Sequence, residues 1–389
     1  MNKANQAATA TQRVSLPRCP LISDDLARAH NVYFAIDARF GRAARLLQAL
    51  WLKDQSIPTG FHTRGEGENA VTMELHSNLS RDAARAGRNF LTPEIHKFTR
   101  RSVIMAEPGA AIDQERLFGN ALSSMPLCFN LFGPLAMDLT LATEVFKRLY
   151  PSFVAQVNEI IFEHSPGRRD PLGIDDQSQN WMGDRTAWDV VLHITTPQNE
   201  PGVIHTEVKF SEDCSASPAQ WRDKYAEVSR AVRLYTDPDS PMLKKQCNQY
   251  FREHSMSQLV VDKGLAAKAM FLAIGPRLNR RVMASFKMYE NELIPADDRD
   301  DNRVPFVALT LENLIAAIGD AGAEELARAL WARYADFERV YQLALSEFEI
   351  SPSEASEPSV KKSFVARSRA KSEDEKASTS LRAVHKVAR

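Results

Sequence analysis

Two carboxylates and a lysine between Gly183 and Glu212 have the types and spacing to do chemistry. Asp189 lies in one β-branched run, Trp188–Thr195. Glu207 and Lys209 lie in a second, Val203–Phe210, separated only by Val208. Two carboxylates at neighbouring strand positions bind a hard divalent cation, and Mg2+ takes octahedral oxygen ligands while keeping several waters. A cation so held polarises a phosphoryl oxygen and activates a water. A lysine on the same face can orient or deprotonate that water, or stabilise the charge that builds on phosphorus. The chemistry is metal-assisted phosphodiester hydrolysis.

The elements that must position these groups read as a β-hairpin. Thr196–Gly202 carries Pro197, Asn199, Pro201 and Gly202 as breakers between the two runs. Trp188, Val190, Leu192 and Ile194 alternate with Asp189, Val191, His193 and Thr195. Ile204, Thr206, Val208 and Phe210 alternate with Val203, His205, Glu207 and Lys209. Period-2 alternation marks strands with one buried face. Pairing Thr196 with Gly202 sets Asp189 opposite Lys209, Val191 opposite Glu207 and His193 opposite His205. The three reactive groups then share one face, and a one-residue slip would scatter them.

Asp189 followed by Glu207-Val208-Lys209 resembles the active-site signature of the PD-(D/E)XK nuclease superfamily, the restriction-endonuclease-like fold. Trp188 stands where the signature's name has proline. Flanking stretches strengthen the resemblance: SSMPLCFNLFGPL at Ser123–Leu135, FEHSPGR at Phe162–Arg168 and DRTAWD at Asp184–Asp189. Together they are similar to a restriction-endonuclease-like branch of bacterial proteins, over about Gln114 to Gly275. Glu-x-Lys alone is weak, since a chain this long holds about one by chance. The preceding Asp and the flanking motifs give it weight. The resemblance implies an α/β fold: a restriction-endonuclease-like core, a mixed central β-sheet flanked by helices, here with additional N- and C-terminal helices. It also implies a helix before the hairpin that brings in an acid, Glu163, at the end of the apolar positions Phe153, Val157, Ile160 and Ile161. The Val208 carbonyl is a further ligand candidate, and Asp184 a weaker one.

Composition sets the frame. The 389 residues are 44 % hydrophobic and 25 % charged, ordinary for a globular chain, and length suggests two domains or one enlarged one. Lys+Arg of 49 against Asp+Glu of 50 leaves a net charge of −1, mild evidence against a strongly basic nucleic-acid binder. Cys19, Cys128, Cys214 and Cys247 are far apart and suggest neither zinc ribbon nor disulfide framework. No apolar leader or membrane-length run is present, so a cytoplasmic protein with no membrane partner is expected.

Residues 1–20 and 351–389 read as disordered by composition, the second with nine Lys/Arg against three Asp/Glu from Lys361 to Arg389. A helical region spans 21–110 and the nuclease-like domain 111–350. Ser23 caps a first helix, and Arg28, Arg39, Arg42 and Arg45 form a solvated face. Ser56–Asn69 reads as a loop, where His62, Arg64, Glu66 and Glu68 invite a metal reading but fit an exposed polar loop better. Asp113 caps a helix, and Pro126–Leu135 is core, with Asn120, Ser124 and Asn130 structural. Ser217-Pro218-Ala219-Gln220 starts a helix with a core stripe of Trp221, Tyr225, Val228, Val232 and Tyr235. Cys247, Glu253 and His254 read as helix surface. Ala266–Ile274 is a buried strand beside the hairpin, Val304–Thr310 another strand, and Ala323–Phe348 one long helix. Arg168, Arg169, Arg277 and Arg280 are candidate phosphate contacts.

The expectation is a Mg2+-dependent nuclease, with Mn2+ an alternative ion, acting on DNA. Asp189 and Glu207 hold the metal, Lys209 positions the attacking water and Glu163 assists. The oligomeric state is open, a homodimer among the options. The competing reading is a non-catalytic nucleic-acid-binding or complex-forming protein on the same fold. Retention of Asp, Glu and Lys together argues against it.

Overall fold

A computed structural model describes residues 16–65, 67, 70–168, 178–212, 214, 217–295 and 302–347. Seven strands lie among these: β1 Thr59–Arg64, β2 Val71–Leu79, β3 Gln156–His164, β4 Trp188–Thr195, β5 Pro201–Val208, β6 Lys268–Gly275 and β7 Phe306–Thr310. The last five form one mixed sheet in chain order. β3, β4 and β5 pair antiparallel, and β6 and β7 add in parallel. This is the mixed central sheet flanked by helices that the sequence leads one to expect.

The hairpin is present, but its register differs by two residues from the expected one. Thr195 pairs with Pro201, and Val191 with His205. The turn explains the offset. Asn199 takes the left-handed conformation (φ 63°), and Thr196 N–H bonds the Glu200 carbonyl at 2.9 Å, closing a tighter loop than Thr196–Gly202. Pro201 therefore opens a strand, where its missing N–H is tolerated. An even offset keeps each side chain on its face.

Both faces of the sheet are covered, so neither is the solvated face that simple alternation implies. Val190, Leu192, Ile194, Ile204, Leu272 and Ile274 pack into a core built with the helices Arg39–Asp54, Ser124–Met137, Leu139–Leu149 and Leu311–Asp320. Val191, Val203, Ala269, Phe271 and Ala273 pack into a second, with Asp223–Ala231, Asn248–Asp262 and Arg280–Glu290. Parallel additions to a sheet need crossover helices on its faces, which is why β5 and β6 read as near-continuous apolar runs. Phe40, Leu46, Leu47 and Leu50 of the N-terminal region lie in the first core, with Phe40 against Phe210 and Phe337 at 6.2 and 5.1 Å. No single described helix is long and apolar enough to cross a membrane.

Several local expectations change. The Phe153–Ile161 segment is not a helix but the edge strand β3. Its Val157, Ile160 and Ile161 mimic helical spacing because a register shift falls between Val157 and Glu159. Ser56–Asn69 is not a loop throughout: Thr59–Arg64 pairs with β2, which places His62 and Arg64 in a strand, while Glu66 and Glu68 lie outside the described residues. The Arg face is not solvated at Arg45, which is buried and joined to Asp37 at 2.7 Å and Ser77 at 2.8 Å. Leu16–Pro20 belongs to the described chain, with Cys19 buried and its carbonyl bonded by Arg39. The helix after the hairpin starts at Asp223 rather than Ser217, although Tyr225, Val228, Val232 and Tyr235 are buried as the stripe requires. Ala323–Phe348 breaks at Ala335-Asp336 into Glu324–Tyr334 and Phe337–Ser346. Residues 1–15 and 348–389 lie outside the described residues.

Candidate active site

The hairpin register, continued by one residue, sets Asp189 opposite Glu207, whereas the sequence pairing opposed Asp189 to Lys209. Alternation breaks at the start of β4. Trp188 and Val191 both join the core on the Asn248–Asp262 side. Trp188 stacks on His205 with centroids 3.7 Å apart and donates its indole N–H to the Glu253 carbonyl at 3.0 Å. Asp189 is thereby turned to the other side, where it lines a cavity of about 10 Å3 with Glu163, Cys128, Phe129, Met125 and Ile112. Its carboxylate still reaches β5, accepting the Val208 N–H at 2.8 Å.

Glu207 and Lys209 share a face as their spacing requires. Lys209 Nζ lies 2.5 Å from Glu207 Oε1, with both side chains largely buried. A glutamine that sequence reasoning passed over completes the arrangement. Gln249 Oε1 accepts Lys209 Nζ at 2.8 Å, while its Nε2 donates to Glu207 Oε1 at 2.8 Å and to Glu253 Oε1 at 2.9 Å. Glu253, expected on a helix surface, is only 2 % exposed, and its Oε2 has no hydrogen-bond partner among the described residues. Cys247 and His254 are buried too, contrary to the surface expectation. Gln249 and Glu253 stand four apart on one helix and so share a face. That spacing was the available signal, but nothing local says the face meets β5.

Glu163 is brought beside Asp189 by β3 rather than by a helix. It has φ 52°, the left-handed region that a residue with a Cβ adopts only under constraint. Arg168 supplies that constraint. It donates to the Glu163 carbonyl and ion-pairs Glu107 at 2.9 Å and the Glu163 carboxylate at 3.6 Å. At 2 % exposure Arg168 is therefore an internal clamp, not the exposed phosphate contact that was expected. Asp184 is likewise engaged, accepting Thr186 N–H at 2.9 Å and bonding Tyr225, with Arg252 at 3.5 Å. Arg277 and Arg280 are exposed and bond the carbonyls of Leu16 and Pro17 at 3.2 and 3.4 Å. Arg169 lies outside the described residues.

The electrostatics follow from crowding acids in a dry site. Burial first, then Glu207 and Glu163, raises the Asp189 carboxyl well above its ordinary value. Burial also raises Glu163, against the pull of Arg168. Glu253 rises for the same two reasons, burial and Glu207. Burial opposes the Lys209 ammonium, but Glu207 and its neighbours outweigh it and hold that lysine well above its usual range, hence charged. The Cys128 thiol, its Sγ 4.0 Å from the Asp189 carbonyl, is pushed up by burial and then by the same acids, so it stays neutral.

This donor set suits a hard cation. Asp189 and Glu163 flank free space about the size of one water, and repelling carboxylates gain most from a positive charge between them. Among the described residues no three His, Cys, Asp or Glu side chains converge on one point. A bound ion would thus keep much of its water, as Mg2+ does.

A family model described as the PD-(D/E)XK nuclease superfamily matches residues 35–336, most of the chain. No curated protein and no solved structure matches it. Members of that superfamily generally use divalent metal ions. With the mixed five-stranded sheet, Asp189 at the start of β4 and Glu207-x-Lys209 at the end of β5, the match over residues 35–336 establishes that this chain belongs to the PD-(D/E)XK nuclease superfamily.

Proposed function

We propose that the chain is a divalent-metal-dependent endonuclease that hydrolyses phosphodiester bonds of DNA. The observation that carries this reading is the meeting of Asp189, Glu207 and Lys209 where β4 and β5 adjoin, with Asp189 bonded to Val208 N–H and Lys209 paired to Glu207. Asp189 and Glu207 would hold Mg2+, or Mn2+ in its place, with the Val208 carbonyl as a further ligand and Glu163 assisting. When bound, the ion supplies Lewis-acid polarisation of a phosphoryl oxygen and a more acidic water.

The chain's own groups do the rest. Water oxygen forms a bond to phosphorus while the bond to the leaving oxygen breaks, and the water proton passes to that leaving oxygen through solvent. Lys209, already protonated, cannot take that proton. It positions the water and balances the negative charge on the phosphoryl oxygens. Gln249 fixes the Lys209 ammonium and the Glu207 carboxylate at once, so neither needs to reorganise as charge builds.

Supercoiled plasmid incubated with Mg2+, Mn2+ or EDTA tests this, beside Asp189→Ala and Lys209→Ala. Metal-dependent nicking lost in both variants is expected. Cutting that persists in either one places the chemistry elsewhere. Calorimetric Mg2+ binding, lost in Asp189→Asn, checks the ligand assignment without reference to turnover.

A further inference from the structure

A groove of about 1190 Å3 opens on the N-terminal side of the molecule, between the β1–β2 hairpin and the helices Arg81–Arg85, Pro93–Ile104 and Gln114–Gly119. Arg81, Arg85, Arg100 and Arg116 line it, against the acids Asp113 and Glu115. A smaller hollow continues it past Lys97 and Arg101. Arg81, Lys97, Arg100 and Arg101 are exposed and make no ion pair among the described residues. The chain as a whole carries a net charge of −1, so positive charge is concentrated here.

That arrangement costs the helix stability. Lys97 stands three residues from Arg100 and four from Arg101 on Pro93–Ile104, spacings at which like charges repel. Aromatic rings are interleaved with the charge. Phe61 is 66 % exposed at the lip. His96 stacks on Phe90 with centroids 5.7 Å apart and meets Phe118 edge-on at 6.0 Å. Gly87, at φ +74°, lets the backbone pass so close to that ring that a Cβ would lie 2.1 Å from it. The imidazole is thus held in place from two sides. Cationic side chains beside an exposed ring such as Phe61 form the combination that grips an unpaired strand, phosphates on the arginines and a base on the ring.

The groove lies beside the candidate active site. Asp113 lines it, and the preceding Ile112 lines the small cavity of Asp189 and Glu163. Phe98, on the basic helix, packs on Phe162 at 5.6 Å, one residue from Glu163.

We propose that this groove binds single-stranded nucleic acid and delivers it to Asp189 and Glu207. Delivery to those residues rests on the nuclease reading above; binding in the groove does not. Phosphates meet Arg81, Arg100 and Arg101, and one base stacks on Phe61.

Fluorescence anisotropy of the full chain in EDTA, with labelled oligo-dT, oligo-U and a mixed-sequence duplex, tests the assignment without turnover. The single strands are expected to bind more tightly than the duplex. Arg100→Ala/Arg101→Ala, both exposed and unpaired and so compatible with folding, weakens binding about tenfold or more and lowers the salt slope by about 1.4, which is 0.7 for each lost phosphate contact. Phe61→Ala weakens binding about fivefold or more with the salt slope unchanged. Lys287→Ala, on another surface, leaves affinity as it was. Tighter duplex binding, or an unaltered salt slope in the double variant, overturns the proposal. Groove binding with no cutting of plasmid or of the labelled single strands in Mg2+ or Mn2+ sinks the nuclease reading alone, and metal-dependent cutting with groove variants that bind normally sinks the groove alone.

Discussion

Glu253→Gln should stabilise the metal-free protein at neutral and higher pH, although it alters a buried residue in the middle of a helix. Glu253 is 2 % exposed, and among the described residues only one carboxylate oxygen is satisfied, by Gln249 at 2.9 Å. Burial and then Glu207 raise its folded pKa above the unfolded value. The folded state therefore holds the proton more tightly than the unfolded state. Stability is full below the unfolded pKa, near 4.5, and is lost as pH rises toward the folded pKa, at no more than about 1.4 kcal/mol per pH unit for one proton. An orphaned buried polar group costs about 1–3 kcal/mol, more when charged. The amide removes the charge and keeps the Gln249 contact. Urea or thermal melts in EDTA at pH 5 and pH 8 should show the variant about 1–3 kcal/mol more stable at pH 8 and near parity at pH 5. A gain that is equal at both pH values, or a loss at pH 8, would refute the reasoning about this carboxylate.

Other outcomes follow from features already described. Mg2+ at ten times its dissociation constant should stabilise the protein by about 1.4 kcal/mol, read as a rise in melting temperature that disappears in Asp189→Asn. Arg168→Ala should cost about 2 kcal/mol, because Glu107 and Glu163 lose their shared partner while partly solvated, and plasmid cutting should fall with it. Arg168→Lys should not restore cutting, since an ammonium lacks the guanidinium's fork. Arg333→Ala should cost about 3 kcal/mol or more in a chemical melt. That buried guanidinium lies 4.3 Å over Trp51, donates to the Asn89 carbonyl at 2.8 Å and bonds Gln48 at 3.2 Å, with no carboxylate partner among the described residues.

What the sequence made legible was local. The presence of β4 and β5, the apolar run of β6 and the shared face of Glu207 and Lys209 depend on neighbours within one strand, and the structure has them, although the β4 alternation breaks at Trp188. The misreadings arose where local signals compete or where distance decides. Val157, Ile160 and Ile161 obey helical spacing only because β3 carries an irregularity, and β-branched composition was the better guide. The register error came from a turn closed by left-handed Asn199, which no count of breakers reveals. Trp188 left its expected face because His205 and the Glu253 carbonyl drew it across the sheet. Gln249 enters the candidate site 40 residues after Lys209, and Glu253 follows on the same helix face. Arg168 looked like a phosphate contact because an arginine in a loop gives no hint of the partly buried carboxylates it clamps.

The sheet adds its strands in chain order, and that sets a timetable for assembly. The β4–β5 hairpin closes over the short turn between Thr195 and Pro201 and can form as soon as it is synthesised, with β3 joining it across the longer stretch from His164 to Trp188. β6 must wait for the whole crossover from Val208 to Lys268, and β7 for the stretch from Gly275 to Phe306. Until then β5 is a naked edge with apolar residues on both faces, the template on which strands of other chains pair. A fragment ending before β6 should self-associate rather than fold. Gln249 lies within that crossover, so the acids and lysine of the hairpin gain their bridging amide only once the parallel half docks, and a nascent chain carries no assembled site until then.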